Sequence, residues 1–406
     1  MEFDRDYDVV VAGAGVAGVA AALACARAGL QTALVEKTVL TGGLATTGLI
    51  NIYLPLCDGY GRQVLHGIAE ELLHLSIKYG PGEVPPVWRQ ARRNASASER
   101  QARYSTPFSP ASFVLALDEA LENAGVALWL DTLDCAPVMA GQRLTGIEVE
   151  NKSGRGILRA RCVIDATGDA DIAYRAGAPC VVSDNWLSLW AIETSLSRAL
   201  QVASDPTGTG LLEMVRVGAS ATGEGHPPNW PKYLGINSAD VSRFVLEGRR
   251  LLREHYRLLQ SRDDGGRHHR FPTALPAMAQ FRTTRRIVGL ETMTTDHPNT
   301  HLATSVGVIP DWRRPGPIWE LPYGALVPHG VAGLLVAGRC IAAEGEAWEI
   351  ARVIPPAALT GQIAGIVATQ VVRDATDPEA LTVPQVQAAI KDANLPLHAA
   401  DIIDSH

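Results

Sequence analysis

The sequence predicts an α/β fold with a central parallel sheet, a β-meander and an inserted α+β lobe, and three observations predict it. Tyr7 to Ala12 is a β-branched run, the Ala-rich Val16 to Ala28 follows and stops at Gly29, and Thr32 to Val35 is a second apolar run. Short runs that are apolar at nearly every position, without alternation, suit a parallel sheet covered on both faces, so these segments read as β-α-β. From Ala136 to Ala160 the pattern changes to alternating strands with turns at Gly141-Gln142 and over 151–156, a meander rather than another helical crossover. Gly333 to Gly338 (GLLVAG) is one more buried run, and the Ala-rich Pro355 to Val372 after it reads as a long helix.

Between the first strand and the first helix lies Gly13-Ala14-Gly15-Val16-Ala17-Gly18, and Glu36 with Lys37 follows the second strand. A G-x-G-x-x-G pattern is common by itself. Set between a strand and a helix, with an acid about twenty residues on, it marks a Rossmann-like dinucleotide site. Gly13 permits the turn, Gly15 leaves space for a pyrophosphate against the backbone, and Gly18 lets the helix lie close to the strand. The helix start offers free N–H groups and a partial positive charge to the diphosphate. Glu36 suits ribose hydroxyls and repels a 2′-phosphate.

Further along, a glycine-punctuated segment over 41–62 precedes a helix predicted from about Gln63 to Lys78. Gly80 to Pro110, rich in proline and arginine, is a loop-rich excursion. Helical periodicity returns over Ser112–Asn123, closes at Gly125 and leads into a strand over Val126–Leu130. After Cys162–Ile164 and Asp165-Ala166-Thr167-Gly168-Asp169 the β-α-β regularity is lost between Gly177 and Glu320, where Trp, Arg, Pro and His crowd together. The division expected is a discontinuous cofactor domain over 1–176 and 321–375, a substrate lobe over 177–320, and a tail over 376–406 with a surface helix and an irregular end.

With 406 residues and 47% hydrophobic composition the chain is large enough for one two-lobed enzyme. A net charge of −7 gives no general attraction to phosphate backbones or anionic lipid, so neither nucleic acid nor membrane is an expected partner. The apolar stretch from Val9 to Leu30 follows acids rather than a basic region and carries glycines and Arg27, so it reads as buried strand and helix, not as a signal or a span. The six cysteines show no C-x-x-C and no metal-ligand spacing and read as buried thiols of a cytoplasmic protein; no metal site is expected.

Two segments select the dinucleotide. A nicotinamide dehydrogenase continues with further β-α repeats, whereas here Thr41-Gly42-Gly43-Leu44-Ala45-Thr46-Thr47-Gly48 follows, a loop of glycines and small hydroxyls suited to lie against a diphosphate and a flat ring. Near the other end, Gly338-Arg339 closes a buried strand and brings a turn and a cation toward a ribityl phosphate, and Arg352-Val353-Ile354-Pro355-Pro356 opens the last helix. Its positive end suits the anion that develops at the N1 and O2 edge of a reduced flavin, and proline is tolerated there because no N–H is needed. FAD is the expected cofactor.

The fingerprint, the TGGLATTG loop, Asp165-Ala166-Thr167-Gly168-Asp169-Ala170-Asp171, Arg282 to Gly289, and the closing segments from Leu334 to Gly365 run in one order through most of the chain. In this the chain resembles the bacterial FAD-dependent oxidoreductase family of the glutathione-reductase-like, two-dinucleotide-fold flavoprotein superfamily. The resemblance implies that Ala166, Thr167, Gly168, Gly338, Arg339, Val353 and Ile354 border FAD. It departs after Arg339: where the family carries a serine or threonine and then a histidine or an acid, this chain reads Ala342-Ala343-Glu344-Gly345-Glu346. No catalytic role is carried over to that segment.

In a flavoprotein the flavin performs the redox step, and the protein sets a C–H or C–N bond against N5 and accepts a proton. Glu346 is the first candidate acceptor and Tyr323 the second, since both lie beside predicted cofactor-facing segments; His226, His297 and His301 follow. Arg282 and Arg286, with Arg285, form a cluster able to clamp a carboxylate. Trp186, Trp190, Trp312, Trp319 and Trp348 are candidate cavity walls, and Cys57 is the residue to check for covalent flavin. The lack of C-x-x-C argues against disulfide reduction, and the lack of a second glycine fingerprint against a built-in nicotinamide domain. The expected activity is that of a dehydrogenase or oxidase of a small polar metabolite, an alcohol or amine able to carry an anionic group. Oxygen or an electron carrier is the expected oxidant, and a homo-oligomer is allowed. Two alternatives stay open: an NAD-dependent dehydrogenase or isomerase without flavin, and a non-enzymatic flavin-binding assembly protein.

Overall fold

In the computed structural model, which describes residues 3–84, 105–204, 209–220, 222–262 and 266–403, the N-terminal unit is β1 (Phe3–Ala12), α1 (Val16–Arg27) and β2 (Thr32–Val35). β1 pairs in parallel with β2 on one edge and with Gly154–Asp165 on the other. The long strand Gly154–Asp165 changes partner along its free edge. Its first half pairs antiparallel with the meander strand Arg143–Asn151, and its end pairs in parallel with Leu334–Val336. With Ala127–Trp129 beside β2 and Leu133–Ala140 completing the meander, the sheet has seven strands. A strand from late in the chain therefore lies two strands from β1, and both ends of the chain reach one rim of the sheet.

Helix α1 lies against Ile354–Asp374 with little side-chain bulk between them. A Cβ on Gly361 would stand 2.0 Å from the Ala17 carbonyl oxygen, and one on Gly365 2.6 Å from that of Ala21. Both helices are buried over most of their length, so this contact is part of the main core. Among the described residues no single helix is long and apolar enough to cross a membrane. The bent pair Gly345–Ala351 and Ile354–Asp374 passes by length and composition, and its second helix is a core helix.

Three sequence expectations change. The helix predicted over 63–78 is Ile68–Ser76, because Gln63 forms a bridge with Cys57 and Gly67, at φ +64°, sits at the N-cap. The region 177–320, read as irregular, contains a 25-residue helix, Ser238–Arg262. Only a single row on it is buried, Phe244, Gly248, Leu252 and Tyr256, and the solvated remainder masks the pattern. This helix packs on a three-stranded sheet of Glu213–Gly218, Ser188–Ser195 and Arg270–Ala274. Finally, the tail is not a surface appendage: Val386, Ile390, Leu395 and Leu397 join the main core. Residues 85–104 of the predicted excursion lie outside the described residues.

Two apolar clusters, Leu189, Ala191, Val215, Leu252 and Tyr256, and Leu187, Tyr233, Phe244 and Phe281, are packed apart from the main core. Ile287, Met293, Val306, Ile309 and Trp319 belong to the main core instead. The separately packed body is thus narrower than 177–320. Among the described residues the cysteines form no disulfide; Cys25, Cys57, Cys162 and Cys340 are buried, and Cys135 and Cys180 half-buried.

Candidate active site

A cleft opens where β1, β2 and Leu334–Val336 end. Gly15, Val16 and Ala17 line it on the α1 side, Gly42 to Ala45 and Ala166 to Gly168 flank it, and Ile354 and Ala357 close it. Two of the fingerprint glycines are fixed by sterics. Gly13 takes φ +92°, and a Cβ there would stand 2.7 Å from the Ala166 carbonyl; a Cβ on Gly18 would stand 1.8 Å from the Gly13 carbonyl. Gly15 differs, with φ −64° and nothing within 4 Å of where its Cβ would be. Its missing side chain leaves open space in the cleft. Neither α1, capped by Gly15, nor Ile354–Asp374, capped by Val353, has a side-chain acceptor on its first amides. Two helix N-termini thus face the same space with their positive partial charge.

Glu36 is held in place for a ligand. Its Oε2 accepts the Ala14 N–H at 3.0 Å, and its Oε1 accepts the Thr38 N–H and hydroxyl, each at 2.9 Å. A carboxylate has about four acceptor sites, so capacity for hydroxyl donors is left. Asp134 lines the same cleft, and its Oδ2 is buried without a partner. Burial, reinforced by Asp171 and Asp165, pushes its carboxyl up to about 6. Native folds rarely leave a buried acceptor orphaned, so this atom fits a donor from a bound molecule. This gives a pH prediction for the protein stripped of cofactor. The folded value lies above the ordinary 3.8, so the folded state keeps a proton that the unfolded chain loses, and stability falls as pH rises through the interval up to about 6. In thermal melts from pH 4 to 7, Asp134→Asn flattens that fall by a few degrees; a profile identical to wild type contradicts it.

Asp165 shapes the 165–169 turn: Oδ1 accepts the Thr167 N–H at 3.1 Å and its hydroxyl at 2.7 Å, and Oδ2 accepts the Ala173 N–H at 2.9 Å. Burial raises its pKa. Arg339, expected as a free cation for a phosphate, is otherwise engaged. Its Nε donates to the Gly168 carbonyl at 2.7 Å, Nη1 to the Phe281 carbonyl, and Nη2 to Asp169 at 2.5 Å. It borders the cleft with its charge already paired, and ties that turn to the segment carrying Arg282.

Leu44, Arg352 and Ile354 line both this cleft and a second cavity of 690 Å³, within the usual range for small-molecule sites. Ile50, Ile52, Leu54, Val217, Phe281 and Trp312 make its walls apolar, and Arg216, Arg282 and Arg352 reach into it. Arg216 stacks 4.0 Å above Trp190, its direct cross-strand neighbour. Arg282 donates to the Ser220 carbonyl at 2.8 Å, and Arg352 pairs with Glu349 at 2.5 Å. Burial lowers the pKa of Arg282, and Arg352 and Arg216 lower it further against the opposing pull of Glu349; burial alone lowers that of Arg216. Like charges crowded in a partly dry place are relieved by an anion.

Of the four residues expected to do chemistry, only Arg282 faces the cavity. Tyr323 is buried with its hydroxyl donating to the Pro378 carbonyl at 2.6 Å, away from both openings. Glu346 lies exposed on Gly345–Ala351, a helix that turns Trp348 inward, and pairs with Arg313 at 2.9 Å and Arg314 at 3.8 Å. Arg286 is buried behind the site, 3.5 Å from Glu344. None of the three lines the cleft or the cavity, so the basis for Glu346 and Tyr323 as proton acceptors and for Arg286 as a clamp is gone. His226 is structural, its Nδ1 accepting the Leu187 N–H at 3.2 Å. Among the tryptophans Trp190 and Trp312 line the cavity. Of the expected cofactor residues, Lys37 lines the cleft, Val353 the cavity, and Ala14, Gly18 and Thr46 lie behind the surface, Thr46 donating to the Thr41 carbonyl. Arg216 and Asp134 were missed. Only the strand register that sets Trp190 opposite Arg216 exposes the first, and the second carries no local signal.

A cleft between two helix N-termini at the end of a parallel sheet, sharing a wall with an arginine-lined apolar cavity, defines a dinucleotide-cofactor oxidoreductase. The profile of the FAD dependent oxidoreductase family matches residues 8–190 and 193–390, and the chain belongs to that family. It is an enzyme and FAD is its cofactor, which removes the flavin-free NAD and the non-enzymatic alternatives. It is 31% identical over 165 residues to digeranylgeranylglycerophospholipid reductase of Picrophilus torridus, spanning 40% of this chain and 39% of that one. It is 37% identical over 71 residues to thioredoxin reductase of Ureaplasma parvum, 18% of this chain and 23% of that one. The chain thus matches less than half the length of these curated relatives. Among solved structures, a geranylgeranyl bacteriochlorophyll reductase-like protein of Thermoplasma acidophilum superposes with a TM-score of 0.48 at 14% identity, covering 96% of this chain and 83% of the other.

Proposed function

We propose that the chain oxidises an apolar organic acid, with the acid group held by Arg282, Arg216 and Arg352 and the carbon to be oxidised set against the flavin. The observation that carries this is the 690 Å³ cavity, apolar in its walls, supplied with three arginines and sharing Leu44, Arg352 and Ile354 with the cofactor cleft. A small polar alcohol or amine would leave most of that apolar wall uncovered, so this part of the sequence expectation gives way to a larger substrate. When bound, FAD supplies the hydride acceptor.

The chain's own residues would do the rest. The amides of Gly15, Val16 and Ala17 would bind the diphosphate, Glu36 the adenosine ribose, and Asp134 Oδ2 an adenosine N–H or O–H. Gly42 to Ala45, with Gly338, would enclose the ribityl chain, and Ile354 would bring a helix N-terminus to the ring. Among the described lining residues Glu224 is the only carboxylate of the cavity, and it is exposed. Substrate positioning by the arginines therefore carries more of the work than a buried base. The proposed division keeps 1–176 with 321–375 as the FAD unit, 177–320 as the substrate side and 376–406 as the tail. The return of Leu334–Val336 to the sheet and the separate packing within 187–281 support its first boundary, while Ile287 to Trp319 and the tail residues Val386 to Leu397 pack on the core of the FAD unit. The meander and that returning strand also favour placement in the glutathione-reductase-like superfamily. Oxygen or an electron carrier is proposed as the oxidant, in the cytoplasm.

The test is anaerobic titration of the FAD-loaded protein with aromatic and medium-chain carboxylates and with their neutral amides, following the flavin spectrum. Charge-assisted hydrogen bonds are worth about 1.5–3 kcal/mol, so the acids should perturb or bleach the flavin at roughly 10–100-fold lower concentration than the amides. Arg282→Met with Arg216→Met should erase that preference while FAD stays bound. An equal response to acids and amides in the wild type sinks the proposal.

A further inference from the structure

Away from the cleft and the cavity, His301, Glu320 and His398 bring two imidazole nitrogens and a carboxylate oxygen within 4.8 Å of one another. Three distant segments deliver them: the loop before Ser305, the strand Ile318–Pro322 and the turn before Ala399–Ile403. Glu320 is buried and held from several sides. Its Oε1 accepts the Ala399 N–H at 2.8 Å; its Oε2 accepts the Leu302 N–H at 2.7 Å and the His398 Nδ1–H at 2.9 Å. The two imidazole rings lie side by side, tilted by 39° with their centres 4.2 Å apart. The proposed flavin reaction uses none of these groups.

We propose that His301, Glu320 and His398 bind one divalent transition-metal ion of the zinc class, which fastens the C-terminal segment to the hairpin of Ser305–Pro310 and Ile318–Pro322. Two imidazoles and one carboxylate are a donor set that zinc takes in tetrahedral geometry with water as the fourth ligand, while calcium and magnesium prefer oxygen alone. The separation of 2.9 Å between His398 Nδ1 and Glu320 Oε2 is close to the roughly 3.3 Å between neighbouring ligands of a tetrahedral zinc, so this pair needs only a small ring shift, and the exposed ring of His301, with its nitrogen within 4.8 Å of the others, turns inward to complete the set. On binding, the Nδ1 proton that now bridges to Glu320 leaves to solvent and the ion takes its place. A cavity of 210 Å³ beside the cluster, with Asp296 and His297 on its rim, leaves room for the water. Behind the cluster Ala399 and Ile402 pack on Val64, Val308 and Ile318, so the ion and the apolar contact would hold the same segment. Cysteine spacing gave no hint of this, and 78 residues separate Glu320 from His398.

The test uses the full FAD-loaded chain, free of any polyhistidine tag and dialysed against EDTA, titrated with zinc chloride by calorimetry and by thermal melting. One equivalent should bind per chain, with a rise in Tm of about 3–6 °C at saturation. His301→Ala, at an exposed position outside the apolar packing, should weaken binding at least about 10-fold. His301→Ala with His398→Ala should abolish both the stoichiometric binding and the rise in Tm, with FAD content unchanged. No saturable equivalent in the wild type, or unaltered binding in His301→Ala, overturns the proposal. If the double variant fails to fold, the single variant decides.

Discussion

Gly15→Val is expected to give a folded, colourless protein whose affinity for FAD is at least about 100-fold below wild type, the equivalent of losing two charge-assisted hydrogen bonds. The fold survives because Gly15 has φ −64°, open to any residue, and because beyond its immediate chain neighbours nothing lies within 4 Å of the new Cβ. What the valine fills is the space in front of the first amides of α1, where a diphosphate approaches the backbone. Circular dichroism and Tm of the cofactor-free protein should match wild type, while the flavin-to-protein ratio after gel filtration falls toward zero. A yellow Gly15→Val protein would show that the diphosphate lies elsewhere. Gly18→Val is the contrasting case: with the Gly13 carbonyl 1.8 Å from its Cβ, it loses the fold along with the cofactor.

Gly361→Val should destabilise the protein by about 4 kcal/mol or more, since overpacking a close backbone contact exceeds the usual cost of an added methyl group. The clash is with the Ala17 carbonyl oxygen, 2.0 Å from the Cβ position, on the first turn of a buried helix. Neither helix has a solvent side toward which to retreat at this point. The expected loss in Tm is on the order of 10 °C, with weaker FAD binding, because Ala17 also lines the cleft. Thermal melts with and without added FAD measure both effects. A Gly361→Val protein as stable as wild type would contradict the close packing of α1 on Ile354–Asp374.

The β-α-β opening, the meander, the strand at Leu334–Val336 and the last long helix were legible because each is a local pattern of known period, bounded by glycine or proline. Glu36 and the fingerprint glycines were legible for the same reason. The substrate side was not. Ser238–Arg262 buries one residue per four, too thin a stripe to stand out among its arginines. Arg216 reaches the cavity only through its register with Trp190, and Asp134 lies in the cleft only because the meander returns there. Tyr323 and Glu346 were placed by their nearness in sequence to cofactor-facing segments. Sequence nearness says nothing about side-chain direction: one points into the core and the other to solvent.

The most direct test of the account is the visible spectrum of the purified chain, with the released cofactor identified by mass and its amount compared with protein. One FAD per chain, present as isolated or restored by incubation with FAD and lost in Gly15→Val, is the predicted result. A colourless wild-type protein that takes up no FAD on reconstitution, or one whose FAD content is indifferent to Gly15→Val, contradicts the placement of the cofactor in the cleft between α1 and Ile354–Asp374.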